Sequence, residues 1–199
     1  MRVLFTFISL LLLKATFASP LLVEKRKEKD LTKMTLLGYR AVNKDTANQY
    51  NKRHTLVYKR NRNGNGNQLG DGVYLTRRLG DWRDEYICAV FAKSGKFGST
   101  KLKKLWLNHD ERESPVREQT IKEVFGEDQK VSKVILVAGM WGSDNRDEDV
   151  QMLIPPYFLP SKTDTGKLDI YVKCVRWADS DELPIISDAD WHLMEITGF

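Results

Sequence analysis

Three short stretches of this chain bring together residue types suited to handling a nucleotide. In Gln68-Leu69-Gly70-Asp71-Gly72-Val73-Tyr74-Leu75-Thr76, two glycines one residue apart lead into a segment that holds a tyrosine. Backbone bare of side chains lets a flat ligand come close, and an aromatic ring can stack on it. The same Asp-Gly pair is also a common turn signal between two strands. In Leu37-Gly38-Tyr39-Arg40-Ala41 an arginine interrupts an apolar segment. Its charge must be paired or solvated. A phosphate or a ribose hydroxyl can meet its fork of donors, and so can one of the chain's 27 acidic residues. In Asp147-Glu148-Asp149-Val150-Gln151-Met152-Leu153-Ile154-Pro155-Pro156, acids and an amide lead into a short apolar strand stopped by a double proline. A polar residue at the mouth of such a strand projects into a cleft, or else belongs to an acidic loop feeding an edge strand.

Taken in order, these stretches resemble the ADP-ribosyltransferase superfamily, which includes secreted bacterial toxins of the enterotoxin type and the poly(ADP-ribose) polymerases. Tyr39-Arg40-Ala41 is similar to the Tyr-Arg pair that opens the toxin fold. Gly70-Asp71-Gly72-Val73-Tyr74-Leu75 is similar to the Gly-x-Gly-x-Tyr turn and strand of the polymerases. The run from Asp149 to Pro155 lies over the late strand that carries Glu-x-Glu, and the resemblance spans roughly residues 36 to 175.

The resemblance implies a split, largely antiparallel sheet whose crevice takes NAD as substrate, with no metal. The bond between nicotinamide and ribose is broken, and ADP-ribose passes to a host protein, another acceptor or water. Arg40 would hold a phosphate or the adenosine side, and Tyr74 would stack on nicotinamide. Tyr39, Gly70 and Gly72 would lie beside the dinucleotide. The transition state is oxocarbenium-like, so nearby negative charge stabilises it. At the position of the family's catalytic glutamate this chain has Gln151, with Asp149 two residues earlier on the same strand face. An amide can hydrogen-bond a ribose hydroxyl but supplies no charge, a loss of about 10- to 100-fold in rate. Three outcomes follow. Asp149 or Glu148 stands in, Gln151 supports slower turnover, or the protein is a degenerate effector that binds a partner.

Other chemistry has weaker footing. His54, His109 and His192 show no metal-ligand spacing, although His54 or His109 with Glu111 would suit a secreted ribonuclease. Lys52, Arg53, Lys59, Arg60 and Arg62 around Tyr58 form a basic patch that reads as solvated loop rather than a nucleic-acid surface.

The elements that position these residues sit in a chain of 199 residues, 41% hydrophobic and 30% charged, enough for a single globular domain. Two cysteines exclude a disulfide-knotted mini-protein and a four-cysteine zinc site. Arg2, the apolar run Val3 to Leu13 and the small-residue exit Ala15 to Ser19 form a signal-peptide pattern, with cleavage after Ala18. The run falls short of the roughly 20 residues that span a bilayer, so the mature chain is expected to be secreted, with no transmembrane segment. Cleavage removes Arg2 and Lys14 and no acid, which leaves 181 residues and lowers the net charge from +5 to +3. Residues 19–33 read as a charged leader, in which Lys25-Arg26 is either a dibasic processing site or a chance pair within the charge run. In an oxidising compartment Cys88 and Cys174 are the natural disulfide pair. The oligomeric state is not fixed by the sequence.

Strand chemistry marks Leu36 to Val42, Gly72 to Thr76, Glu85 to Lys93, Lys101 to Asn108, Val131 to Ala138, Val150 to Ile154 and Leu168 to Trp177. One helix is clear: Ser114 caps it, Pro115 begins it, Val116, Ile121, Val124 and Phe125 form its apolar stripe, and Gly126 ends it. Strands outnumber helices without alternating with them. The expected class is therefore α+β with a largely antiparallel sheet over residues 34–178. Residues 179–199 read as an acidic extension packed along the domain.

Overall fold

A computed structural model describes residues 29–60, 68–140, 145–146, 148–161 and 166–199. The signal-peptide pattern, the dibasic pair, Arg62 and Asp147 lie outside the described residues. The class is α+β, with one seven-stranded, mostly antiparallel sheet and a few short helices.

The strands are β1 (Met34–Val42), β2 (Val73–Thr76), β3 (Tyr86–Lys93), β4 (Lys103–Leu107), β5 (Val134–Gly139), β6 (Val150–Ile154) and β7 (Tyr171–Arg176). Their order across the sheet is β4-β5-β6-β2-β1-β3-β7. Only β4 and β5 run parallel, and their crossover carries the helix α3 (Ser114–Phe125). The helices α1 (Lys44–Arg53) and α2 (Ser94–Phe97) follow β1 and β3. Asn43 starts α1 by accepting the Thr46 amide at 3.0 Å.

Side-chain alternation divides the core. One face carries a single large cluster that includes Leu37, Leu75, Cys88, Val90, Val137, Met152 and Ile154. The other face carries two separate clusters. Tyr74, Leu107, Ile121, Leu136 and Leu153 fill one, over β4, β5, β6 and β2. Tyr39, Ile87, Phe91, Tyr171 and Val175 fill the other, over β1, β3 and β7. The seam between them follows the β1–β2 junction. There the sheet is narrowest: β1 meets β2 at one register pair, Tyr39 with Thr76, against eight pairs with β3.

Cys88 and Cys174 face each other across β3 and β7 and form a disulfide. The Asn51 amide donates to the Cys174 carbonyl and accepts its N–H, both at 2.8 Å. In this way α1 caps part of the exposed edge of β7, which blunts strand-to-strand aggregation. Leu168, Ile170, Val172 and Cys174 all lie in the large cluster, although β7 itself begins only at Tyr171.

Two expectations change. The α3 stripe does not turn inward as a unit: Val116 and Val124 are 46% and 43% exposed, while Arg117 and Ile121 are buried. The helix leans on the 68–70 turn through Arg117. Glu113, not Ser114, holds the N-cap position. The C-terminal segment, expected to pack along the domain, also enters its core. Ala189, Trp191, Met194 and Ile196 belong to the large cluster, and Thr197 bridges to Leu105. The Trp191 indole N–H donates to the Leu37 carbonyl at 2.7 Å, beside the narrow junction.

Candidate functional site

The sequence stretches that carry Tyr39, Thr76 and Gln151 form three neighbouring strands, β1, β2 and β6. Register places Tyr39 opposite Thr76, Thr76 opposite Gln151, and Gln151 opposite Ala138. Directly opposed residues share a face, so these side chains form one row across the seam between the two smaller clusters. Gln151 is 3% exposed. Its amide donates to Gln68 Oε1 at 2.7 Å and approaches the Gly139 carbonyl at 3.5 Å. The Thr76 hydroxyl donates to the Arg78 carbonyl at 3.1 Å and lies 3.4 Å from the Tyr39 carbonyl. The Tyr39 hydroxyl meets the Ser187 carbonyl at 2.7 Å and the Ile185 carbonyl at 3.1 Å.

The loop after β2 straddles the seam, with Leu79 against one small cluster and Trp82 against the other. It brings in Asp81, whose carboxyl accepts the Arg78 amide at 3.2 Å. Burial raises the Asp81 pKa, and the Asp149 and Asp188 carboxylates push it further the same way. Asp188 also pairs with Arg78 at 3.7 Å. Asp149 is exposed and sits in the left-handed region at φ 48°, where only surrounding contacts hold a non-glycine residue. The Met140 amide donates to its carbonyl. Thus a hydroxyl, two amides, one guanidinium and three carboxylates gather at the β2–β6 end of the seam. Such a set can hydrogen-bond a polyhydroxylated ligand and offset positive charge developing on it.

The other sequence candidates are placed differently. Tyr74 is 7% exposed, with its ring in a small cluster and its hydroxyl committed to the chain. That hydroxyl accepts the Leu69 amide at 2.8 Å and donates to the Gly70 carbonyl at 2.9 Å. The ring is a core element that fixes the 68–70 turn, not a surface offered to a ligand. Burial drives its pKa up to about 12. Arg40 lies opposite Cys88, so alternation puts it on the large-cluster face, away from Gln151. Its Nη1 donates to the Tyr74 carbonyl at 2.8 Å, while its buried Nε has no partner. Arg40 therefore acts as a strut where β1 and β2 part.

Gly72 is a packing position, because a Cβ there would strike the Ile154 carbonyl and Leu153. Gly70 adopts φ 107° over Arg117, whose guanidinium donates to the Arg112 carbonyl at 2.7 Å. The histidines are dispersed: His54 stacks on Tyr171 at 5.9 Å, and His109 lies beside Arg112. The Glu111 carboxylate caps its own turn by accepting the Asn108 amide at 2.7 Å. Among the described residues no three His, Cys, Asp or Glu side chains group in a way that could hold a metal ion.

Residues 67–199 match the model of a family of unknown function, DUF5910. The chain belongs to that family. No curated protein and no solved structure matches it. The DUF5910 span contains Gln68, Thr76, Asp81, Asp149 and Gln151 but not β1, so Tyr39 enters the row from outside it. Sequence reading missed Thr76, Gln68 and Asp81 as members of the site. Thr76 stood at the end of a stretch already singled out, and only register shows that it faces Gln151.

Proposed function

We propose that this DUF5910 protein is an exported ADP-ribosyltransferase-like effector or toxin that binds NAD along the seam between β1, β2 and β6. The observation that carries the reading is the cross-strand row Tyr39–Thr76–Gln151, assembled from stretches far apart in sequence and ending among Asp81, Asp149 and Asp188. In this reading the loop after β2 opens so that the Thr76 hydroxyl and the Gln151 amide, 2% and 3% exposed when it is closed, reach ribose hydroxyls. Asp149 supplies the negative charge that the glutamine lacks, and ADP-ribose passes to a host acceptor or to water. Arg40 sets the β1–β2 opening and does not touch the dinucleotide. Export fits the Cys88–Cys174 disulfide, since such bonds persist in oxidising compartments.

A second reading, NAD binding without turnover, is favoured by the Gln151 amide being buried and already bonded to Gln68. Nicotinamide release and NAD titration calorimetry on wild type, Thr76→Ala, Asp149→Asn and Gln151→Glu separate the two. For the enzyme, Asp149→Asn should cut release about 10- to 100-fold, and Gln151→Glu should raise it by a similar factor. Binding lost in Thr76→Ala with no release from any variant supports the binding module. Absence of both binding and release overturns both readings.

A further inference from the structure

Away from the seam, the fold gathers five lysines around one cavity of about 310 Å³. Lys96 comes from α2, Lys101 and Lys103 from the entry to β4, Lys133 from the turn before β5, and Lys167 from the chain before β7, with the Lys103 ammonium itself turned over the Phe125 ring outside the cavity. Among the described residues no aspartate or glutamate lines this cavity, and none of the five lysines makes a salt bridge. The floor is apolar, formed in part by Phe158 and Leu168, and Ser99 and Gln129 add neutral donors at the wall. Tyr157 stands at the rim with Lys167 Nζ 3.4 Å and Lys133 Nζ 5.2 Å from its ring centroid. The Lys167 ammonium beside its hydroxyl, helped by Lys133, lowers the Tyr157 pKa.

Gathering like charges from four separate stretches of sequence opposes folding unless counter-charge arrives. The chain has 27 acidic residues against 32 basic ones, yet among the described residues none is in this wall, and Asp169, which acts on Lys96 from outside it, is already paired with Lys29. The volume suits a small molecule rather than a polymer. Ammonium groups on flexible stems suit clustered tetrahedral oxyanions, which they meet as point charges. We propose that this cavity binds a compact polyanion carrying several phosphates, either free or displayed as a lipid headgroup. The site shares no residue with the Tyr39–Thr76–Gln151 row, so it stands independently of the NAD reading.

The test is titration calorimetry of the full chain with inositol hexakisphosphate and with inorganic phosphate. It is run on wild type, Lys133→Gln/Lys167→Gln and a control of equal charge change on α1, Lys44→Gln/Lys52→Gln. At roughly 50 mM salt, wild type should bind one hexakisphosphate per chain and prefer it to inorganic phosphate. The cavity variant should weaken at least about tenfold, and the control by less than about twofold. Thermal melting checks the fold: removing like charge should leave the cavity variant's Tm equal to or above wild type. Phosphatidylcholine vesicles with and without phosphatidylinositol bisphosphate distinguish the source. Retention on the bisphosphate vesicles, competed by hexakisphosphate, assigns a headgroup, and hexakisphosphate binding without retention assigns a free ligand. No stoichiometric binding, an equal loss in the control variant, or equal retention on phosphatidylserine vesicles overturns the proposal.

Discussion

Replacing Tyr74 by phenylalanine separates the two things this residue does. The ring stays in place among Leu136, Leu153 and Ile121, so the apolar packing of the small cluster is kept. The hydroxyl is lost, and with it the bond accepted from the Leu69 amide at 2.8 Å and the one donated to the Gly70 carbonyl at 2.9 Å. Leu69 is 1% exposed, so its amide is left without water or partner. Leaving one buried polar group unsatisfied costs about 1–3 kcal/mol, which sets the expected loss at neutral pH. Titration adds a second, independent signature. Burial raises the Tyr74 pKa from 10.0 to about 12, and Tyr39 is raised to the same level, again chiefly by burial. A raised tyrosine contributes stability that is fully present below about pH 10 and is lost as pH climbs toward about 12, at most about 3 kcal/mol for each ring. Wild type loses both contributions on alkalinisation, while Tyr74→Phe loses only that of Tyr39. Urea unfolding at neutral pH and at steps between about pH 8 and about pH 11 reads both effects. The midpoint of the variant should fall at neutral pH with the m-value unchanged, and the gap to wild type should narrow as pH rises. An unchanged midpoint at neutral pH, or two parallel pH profiles, would refute the assignment of the hydroxyl to the 68–70 turn.

Cys88→Ala/Cys174→Ala should cost about 4–5 kcal/mol on a chain-entropy argument, because the bridge closes a sequence separation of 86. A shift in urea midpoint worth less than about 1 kcal/mol would contradict that. Asn51→Ala should cost about 1–3 kcal/mol and speed hydrogen exchange at the Cys174 amide more than at Val90, buried in β3 between β1 and β7. Gly72→Ala should lower Tm far more than Gly95→Ala, since a Cβ at Gly72 meets the Ile154 carbonyl while one at Gly95 meets nothing within 4 Å. Equal melting shifts for the two glycines would show that β2 does not close on β6 at that point.

What the sequence determined by itself is the set of strands and one covalent link. Strand-forming composition marks the segments, and period-two alternation marks the last of them, where Leu168, Ile170, Val172 and Cys174 do all reach one core, while β3 is apolar on both faces because both are buried. Two cysteines in one chain with an export pattern leave one pairing to make, and β3 and β7 make it. The stretches with nucleotide-handling chemistry were also legible, but not the roles within them. Alternation tells which residues of a strand share a face, while only register against a neighbour tells which core that face meets. That is why Arg40 and Tyr74 stood out as binding residues and became a strut and a turn anchor, while Thr76 was passed over and now faces Gln151. The same limit hid Arg117, an apparent surface residue of α3 that the 68–70 turn buries. The five-lysine cavity had no linear signature at all. Its charges are spread from Lys96 to Lys167, and only the chain's return to one corner of the sheet makes them neighbours.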